Sequence, residues 1–285
     1  MEELWVLIND AEDLVSGQYR RAHSPFPGCA PRLTAGAGKP EPEPESVSAR
    51  EPETAADSTP ELERIADDIR ACSLCGLSAG RTRAVPGSGT GSPRVLLVGE
   101  GPGAEEDRRG EPFVGKAGQY LDRWLAGIGL DRMNDCFITN IVKCRPPENR
   151  DPSAEESASC LAYLERQVDL LKPELILALG RVAAQTLTGS SGGIGALRGK
   201  SASYRGIPLI ATYHPAAVLR SVEKGENTLR SAVWEDLKRL REQLDSRRGQ
   251  GARPSAHGDG GRAEDTQAAA GTGQEDDVAA SGREE

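Results

Sequence analysis

One stretch constrains this chain more than any other: a short apolar run that ends in a glycine-rich, acidic turn. Residues 95–98 read VLLV, and the chain continues as GEGPGAEED before Phe113 and the sequence VGKAG. An apolar run closed by glycines is typical of a buried strand that ends in a loop. Ligands of open α/β sheets bind beyond the carboxyl ends of the strands. Residues 94–118 are therefore predicted to form an active site.

The rest of the chain alternates apolar runs with amphipathic segments. Further strands are predicted at 136–142, 175–179 and 207–213, and helices at 115–130, 151–171, about 181–187 and across Val233, Leu237, Leu240 and Leu244. Asp151, followed by Pro152, is predicted to cap the second of these helices. Such alternation indicates a parallel sheet with helices on both faces. The predicted fold class is α/β, a three-layer α/β/α sandwich around a four-stranded parallel sheet.

Polar residues follow each of the four predicted strands. They are Glu100, Asn140, Gly180 with Arg181, and His214. Because parallel strands end at one edge of a sheet, a carboxylate, an amide and an imidazole are expected to meet there. Taken alone, Lys143, Arg145 and Arg150, which follow the second strand, would be expected on a solvated face.

Composition limits the folded part of the chain. Residues 40–60 and 246–285 contain almost no large apolar side chains, so neither segment can bury enough surface to offset its chain entropy. We predict a disordered linker at 23–60, one folded domain at 61–245 and a disordered tail at 246–285. Residues 1–22 have apolar residues at helical spacing, which predicts an amphipathic helix that either docks on the core or contacts a protein partner.

The charge is unevenly distributed. The net charge of −9 argues at first sight against a nucleic-acid partner, yet residues 71–245 carry 23 Lys and Arg against 21 Asp and Glu. A nearly neutral core can still hold a local basic groove. No run is apolar enough to span a membrane, and the start Met-Glu-Glu has the wrong charge for a secretory signal. We expect a cytoplasmic monomer that does not bind membranes.

Four of the six cysteines form two pairs, Cys72 with Cys75 and Cys144 with Cys160. In a reducing compartment such pairs indicate metal ligands rather than disulfides. Zinc and a [4Fe–4S] cluster both accept four thiolates, and the spacing does not distinguish them. In either case the metal would be structural. Cys29, in the linker, and Cys136, in a strand, are not expected to be ligands.

With these residues in place, the chain resembles the family 4, iron–sulfur-containing uracil-DNA glycosylases. The resemblance covers about residues 72–244, and it rests on GEGPG at 99–103, EED at 105–107, PFVGKAG at 112–118, TNIVKCRPPENR at 139–150 and HPA at 214–216. It implies removal of uracil from single- or double-stranded DNA, with the base flipped into a pocket. It also implies that Cys72, Cys75, Cys144 and Cys160 hold a structural [4Fe–4S] cluster.

The resemblance also implies roles for the pocket residues. Phe113 would stack on uracil, Asn140 would bind its Watson–Crick edge, and His214 would donate to O2 as negative charge develops. Glu100 and Gly101 would line the pocket, and Glu106 would lie near C5 of the base. The loop at 215–220 would insert into the minor groove, with Val218 or Leu219 as the apolar wedge and Arg220 beside it.

One difference from the family pattern leaves open which residue orients the attacking water. The better-known uracil glycosylases carry an aspartate where this chain has Gly101, so Glu100, Glu106 and Asn149 remain candidates. A catalytically inert, metal-stabilised nucleic-acid-binding module of the same fold is the main alternative. A small-nucleotide-binding α/β protein is a third, weakened by the lack of a phosphate-binding lysine motif.

Overall fold

The computed structural model describes residues 59–251, and the predicted helix at 1–22, Cys29, nearly all of the linker and the tail beyond 251 lie outside it. The strands are β1 (Ser88–Gly89), β2 (Val95–Gly99), β3 (Cys136–Asn140), β4 (Leu175–Leu179), β5 (Ala202–Tyr204) and β6 (Ile207–Thr212). The helices are α1 (Thr59–Ala71), α2 (Leu77–Gly80), α3 (Ala104–Arg109), α4 (Lys116–Gly127), α5 (Ala154–Leu171), α6 (Arg181–Thr188), α7 (Ile194–Leu197), α8 (Pro215–Glu223) and α9 (Thr228–Gly251). A 3₁₀ turn, Pro147–Asn149, precedes α5.

The sheet has six strands in the order β1-β3-β2-β4-β6-β5, rather than the four predicted. The four predicted strands form its parallel centre, and the two additional strands pair antiparallel at its edges. Both are too short to give an apolar run. β5 joins β6 through Arg205 and Gly206, which both have positive φ, as expected for a two-residue hairpin turn that follows strand twist.

Helices cover both faces of the sheet, which confirms the three-layer α/β/α arrangement. Alternate residues of β2 point to opposite sides, so that Val95 and Leu97 lie in one core cluster and Leu96 and Val98 in the other. The first cluster includes α4, α8 and α9, and the second includes α5 and α6. All five residues of β2 are buried, as the sequence VLLVG predicts for a central parallel strand.

Two helix boundaries differ from the prediction. α5 begins after Ser153, whose side chain and that of Glu156 form a reciprocal capping box, so Asp151 is not the cap. This frees the Asp151 side chain to face the sheet edge. α9 continues to Gly251, beyond the predicted domain boundary at residue 245. None of the helices in the described range is both long and apolar enough to cross a membrane.

The order of the central strands determines where a ligand can bind. The chain leaves β2 for β3 on one side and then crosses back to β4 on the other, so the direction of winding changes between β2 and β4. Loops diverge at such a switch point and leave a crevice at the carboxyl edge of the sheet. Glu100 follows β2, and Arg181 follows β4, at this crevice.

Candidate active site

A cleft of about 1060 Å³, including its open mouth, lies at this carboxyl edge. Its walls contain every residue that was predicted to bind the base or to take part in catalysis: Glu100, Gly101, Glu106, Phe113, Asn140, Asn149 and His214. They come from the ends of β2, β3 and β6, from α3, from the 3₁₀ turn and from the loop before α4. The cleft thus brings together a carboxylate, an amide, an imidazole and an aromatic ring.

Asn140 ends β3 with only 1% of its surface exposed, and its side-chain Oδ1 has no hydrogen-bond partner. A buried acceptor without a partner is costly, and in a cleft it indicates a missing ligand donor. Gly99, its neighbour on β2, makes this position possible. A Cβ on Gly99 would lie 2.3 Å from that Oδ1 and 2.7 Å from Cζ of Phe113.

Phe113 presents its ring to the same cleft from a strained backbone. Its φ is 51°, and its carbonyl accepts a hydrogen bond from Arg132 Nη1 at 2.8 Å. Gly118 allows α4 to approach this loop, because a Cβ there would lie 1.8 Å from the Phe113 oxygen. The Phe113 ring lies 5.6 Å from the His214 ring, centroid to centroid. Non-glycine residues with positive φ are concentrated at functional sites.

His214 precedes α8 and caps it. Its Nδ1 accepts a hydrogen bond from the backbone N–H of Ala216 at 3.2 Å. An imidazole that accepts at Nδ1 carries its proton on Nε2 when neutral. Burial, and secondarily the positive charge of Arg220, lower the pKa of His214 to about 4. At neutral pH, therefore, His214 is an uncharged donor at Nε2.

Glu100 has a second carboxyl group beside it that the sequence did not reveal as a site residue. Burial, and then the negative charge of Asp151, raise the pKa of Glu100 to about 7, while Arg181 opposes the shift. Arg181 also forms an ion pair with Asp151. Asp151 lines the cleft together with Glu100. The cleft therefore contains one carboxyl group that changes charge near neutral pH.

Glu106 and Asn149 are both held by neighbouring groups. Glu106 Oε1 accepts hydrogen bonds from the backbone N–H groups of Val114 and Gly115, each at 2.9 Å. This contact fixes the loop between Phe113 and α4. Asn149, with φ 55°, accepts a hydrogen bond at Oδ1 from Arg145 Nε at 2.9 Å. Glu106 is thus committed in part to supporting the Phe113 loop.

The prediction that Val218 or Leu219 is an apolar wedge is wrong for this conformation. Residues 215–220 begin a helix, α8, and the spacing 215, 218, 219, 222 lies on its core-facing side. Val218 is 0% exposed and Leu219 is 7% exposed, and both belong to the core beneath α4 and α9. Arg220, by contrast, is exposed and lines the rim of the cleft.

Gly101 has no room for a larger side chain. A Cβ at this position would lie 2.8 Å from Val142 Cγ2. A side chain at this position would therefore require that of Val142 to move.

The four paired cysteines line one pocket between α1, the residues after β3 and α5, with an empty volume of about 290 Å³ including its open side. Three of the four sulfurs accept hydrogen bonds: Cys144 from Arg81 Nη1 at 3.1 Å, Cys160 from the backbone N–H of Lys143 at 3.3 Å, and Cys72 from that of Leu74 at 3.5 Å. Burial raises the pKa of the Cys144 and Cys160 thiols, and the donors from Arg81 and Lys143 oppose that rise. Within residues 59–251, no three potential ligands converge closely enough to hold a single metal ion.

Comparison with known proteins agrees with this site. The family model of the Uracil DNA glycosylase superfamily matches residues 86–238. A type-4 uracil-DNA glycosylase of Sulfurisphaera tokodaii is 42% identical over 190 residues, spanning 64% of this chain and 84% of that protein. One from Archaeoglobus fulgidus is 41% identical over 189 residues, spanning 64% and 92%.

A more distant relative is a type-5 uracil-DNA glycosylase of Pyrobaculum aerophilum. It is 32% identical over 150 residues, spanning 47% of this chain and 66% of that protein. The type-4 relatives are both more similar and more fully covered. The chain therefore belongs to the uracil-DNA glycosylase superfamily and, within it, to the type-4 uracil-DNA glycosylases.

Proposed function

We propose that this chain repairs DNA by hydrolysing the N-glycosidic bond of deoxyuridine, which releases uracil and leaves an abasic site. The observation that carries the proposal is the buried, unpartnered Oδ1 of Asn140 beside the rings of Phe113 and His214. A flat base with an N–H donor at its edge would complete this arrangement. A base inside a duplex cannot reach it, so the nucleotide must leave the stack.

Recognition of the base follows from the chemistry of the amide. Asn140 Oδ1 accepts from N3–H of uracil, while its amide group donates to O4. Phe113 packs against the face of the ring. Cytosine carries an acceptor at N3 and an amine at position 4, so the same amide would meet acceptor with acceptor and donor with donor. The buried mismatch would exclude cytosine.

Bond cleavage places negative charge on the leaving base. As the N1–C1′ bond breaks, its electron pair moves onto the uracil ring and O2, and Nε2–H of His214 donates to O2. A neutral histidine suits this task, because it stabilises the anion without losing its proton. The deoxyribose acquires cationic character at C1′, near which the ionised Glu100 supplies a negative charge.

Water then adds to C1′, and its proton passes to Glu100. Of the three candidates for this role, Glu106 is engaged by two backbone donors and Asn149 is an amide with no proton-accepting charge. Glu100 is the cleft carboxylate whose pKa lies near neutral pH, which suits a general base. Asn149 and Glu106 shape the water site and the Phe113 loop.

Four cysteines, Cys72, Cys75, Cys144 and Cys160, would hold a [4Fe–4S] cluster that ties α1 to the end of β3 and to α5. Four cysteines that line one pocket could supply four thiolate ligands, and zinc and a [4Fe–4S] cluster both accept four thiolates. The similarity to the type-4 uracil-DNA glycosylases favours the cluster. Bound there, it would contribute stability rather than chemistry.

DNA is the proposed partner, in single- or double-stranded form, and the exposed Arg220 at the rim is placed to meet its phosphates. We further propose that the protein acts as a monomer in the cytoplasm, where thiols stay reduced. The test is incubation with an oligonucleotide that contains one uracil, followed by alkaline cleavage of abasic sites. Binding without cleavage would favour the inert nucleic-acid-binding module instead.

A further inference from the structure

Lys143 is fully buried, contrary to the expectation of a solvated face. It lies after β3 with 1% of its surface exposed. Its ammonium donates to Thr139 Oγ1 at 2.6 Å, to the backbone oxygen of Asn140 at 2.7 Å and to Gln167 Oε1 at 2.9 Å. All three N–H groups are therefore used, as a buried ammonium requires.

The partners of Lys143 are themselves fixed. Thr139 Oγ1 donates to the backbone oxygen of Pro86 at 2.9 Å, and Gln167 Nε2 donates to the same oxygen at 2.9 Å. The backbone oxygen of Lys143 accepts from the N–H of Val85 at 2.8 Å. The network therefore joins the segment before β1, the end of β3 and α5 around one ammonium group.

The ammonium has no carboxylate among these three hydrogen-bond acceptors. A buried charge needs a counter-charge, and the cysteine sulfurs beside Lys143 are candidates when they are ionised. Lys143 immediately precedes Cys144, and its own backbone N–H donates to Cys160 Sγ at 3.3 Å. Lys143 is therefore joined to two of the four proposed cluster ligands: to Cys144 by a peptide bond and to Cys160 by a hydrogen bond. Four thiolates around iron would supply the negative counter-charge for the buried Lys143 ammonium.

At its other end the network reaches the base-reading amide. The Lys143 ammonium holds the backbone oxygen of Asn140, whose side chain supplies the unpartnered Oδ1 in the cleft. Backbone bonds from Ile141 to Gly99 and from Val142 to Glu100 extend the pairing of β3 and β2 past this point. Displacing the ammonium would therefore release the strand end that sets the position of the Asn140 amide.

We propose that Lys143 is a positioning residue that links the four-cysteine site to the Asn140 base reader. The cysteine site then supports base recognition as well as the fold. Lys143 contacts neither the base nor the sugar. The proposal rests on the function given above for Asn140 and the cysteines.

The test compares Lys143→Met with Ile138→Val, a change in a buried residue of the same strand that leaves the ammonium and its three acceptors in place. Binding is measured by fluorescence anisotropy on DNA that carries one non-cleavable 2′-fluoro-2′-deoxyuridine and on the same DNA without uracil. The ratio of these affinities reports base reading alone. Iron per chain and the rate of iron loss to a chelator are measured on the same samples.

Lys143→Met should lower the affinity ratio by about tenfold, which corresponds to about 1.4 kcal/mol. It should also lose iron faster than the wild-type protein. Ile138→Val should keep the wild-type ratio and iron retention and lower only the melting temperature, because it leaves the network intact. If Lys143→Met keeps the wild-type affinity ratio, or if both variants lower that ratio equally, the proposal that Lys143 positions Asn140 is overturned.

Two further variants keep the test decisive. Lys143→Gln, which is neutral but still polar, replaces Lys143→Met if the latter is insoluble, and the same outcomes apply. Asn140→Ala is measured in parallel. If Asn140→Ala keeps the wild-type ratio, Asn140 is not the reader, and the proposed recognition fails together with this inference. If Asn140→Ala lowers the affinity ratio and the Lys143 variants keep the wild-type ratio, only this inference fails.

Discussion

His214 Nδ1 accepts a hydrogen bond from the backbone N–H of Ala216 at 3.2 Å, so the first turn of α8 fixes the tautomer of the imidazole. The remaining N–H, on Nε2, is the donor proposed for uracil O2. Because the pKa of His214 is lowered to about 4, this arrangement persists throughout the neutral range. The same residue thus caps a helix and serves the cleft.

Replacing His214 by Ala should reduce single-turnover cleavage of uracil-containing DNA by about 10²–10³-fold, the usual effect of removing one oxyanion donor. Affinity for undamaged DNA should change little, because the imidazole lies within the cleft. Rapid-quench kinetics and anisotropy on matched oligonucleotides measure the two effects. Retention of a near-normal cleavage rate would show that leaving-group stabilisation comes from another donor.

The pH profile should depend on Glu100. With a pKa of about 7, Glu100 is largely protonated at pH 6 and ionised at pH 8, so the wild-type cleavage rate should rise across this range. Glu100→Gln should be slow and show no such rise. Asp107, which is buried but bonded to the backbone of Thr82, offers a control as Asp107→Asn. If the cleavage rate of Glu100→Gln still rises between pH 6 and pH 8, a group other than Glu100 controls the pH profile.

The same carboxyl group should reduce stability at alkaline pH. A raised pKa means that the folded state holds its proton more tightly, so stability falls as pH rises from about 4.5 through about 7. Glu100→Gln should therefore unfold with a free energy about 1–2 kcal/mol higher than wild type at pH 8, after allowance for solvent screening. At pH 4 the two proteins should be alike. Urea titrations at both values measure the difference, and equal stability at pH 8 would contradict the raised pKa.

The cysteine site gives a prediction with an internal control. Protein purified without oxygen should be brown, with broad absorbance near about 400 nm. Cys72→Ala or Cys160→Ala should lose iron and melt at a lower temperature, because the proposed cluster would close a long loop. Cys136→Ala should keep its iron, since Cys136 lies within β3. Colourless protein with stoichiometric zinc would refute the iron assignment but keep the ligand set.

Much of the fold could be predicted because it depends on local pattern. The four central strands follow from apolar runs that end in glycine or a polar residue, and the convergence of Glu100, Asn140 and His214 follows from their parallel arrangement. β5 could not be predicted in this way. It is short and partly exposed, and its pairing with β6 depends on a turn at Arg205–Gly206 that lacks the common Asn-Gly signal.

The missed site residues depend on contacts between distant parts of the chain. Asp151 has the sequence signature of a helix cap, and only the fold reveals that Ser153 caps α5 while Asp151 lies near Glu100. The burial of Lys143 requires Gln167 on α5 and Thr139 on β3 to meet. The wedge is different, because the spacing of Val218, Leu219 and Val222 already indicated a core-facing helix.

That correction can be tested directly. Val218→Ala should lower the free energy of unfolding by about 2 kcal/mol, because it leaves a cavity in the core, and should leave DNA affinity unchanged. Arg220→Ala should scarcely affect stability but should weaken DNA binding and reduce its salt dependence by about one unit of slope. Chemical denaturation and salt titrations separate the two. If Val218→Ala weakens DNA binding more than Arg220→Ala does, α8 must open when DNA binds. The prediction that Val218 or Leu219 is an apolar wedge would then hold.

The last prediction concerns the choice of base, and it follows from the Asn140 amide. Asn140→Asp removes the donor to uracil O4 and supplies an acceptor that suits the amine of cytosine. Two unmatched buried groups cost about 1–3 kcal/mol each, enough to reject the wrong base by several powers of ten. Asn140→Asp should therefore lose most cleavage of uracil and gain a trace of cytosine cleavage, whereas His214→Ala should slow both alike. Single-turnover assays on oligonucleotides with U or C at one position give the ratio. If neither variant changes the U-to-C ratio, Asn140 does not read the base, and its unpartnered oxygen must serve another ligand.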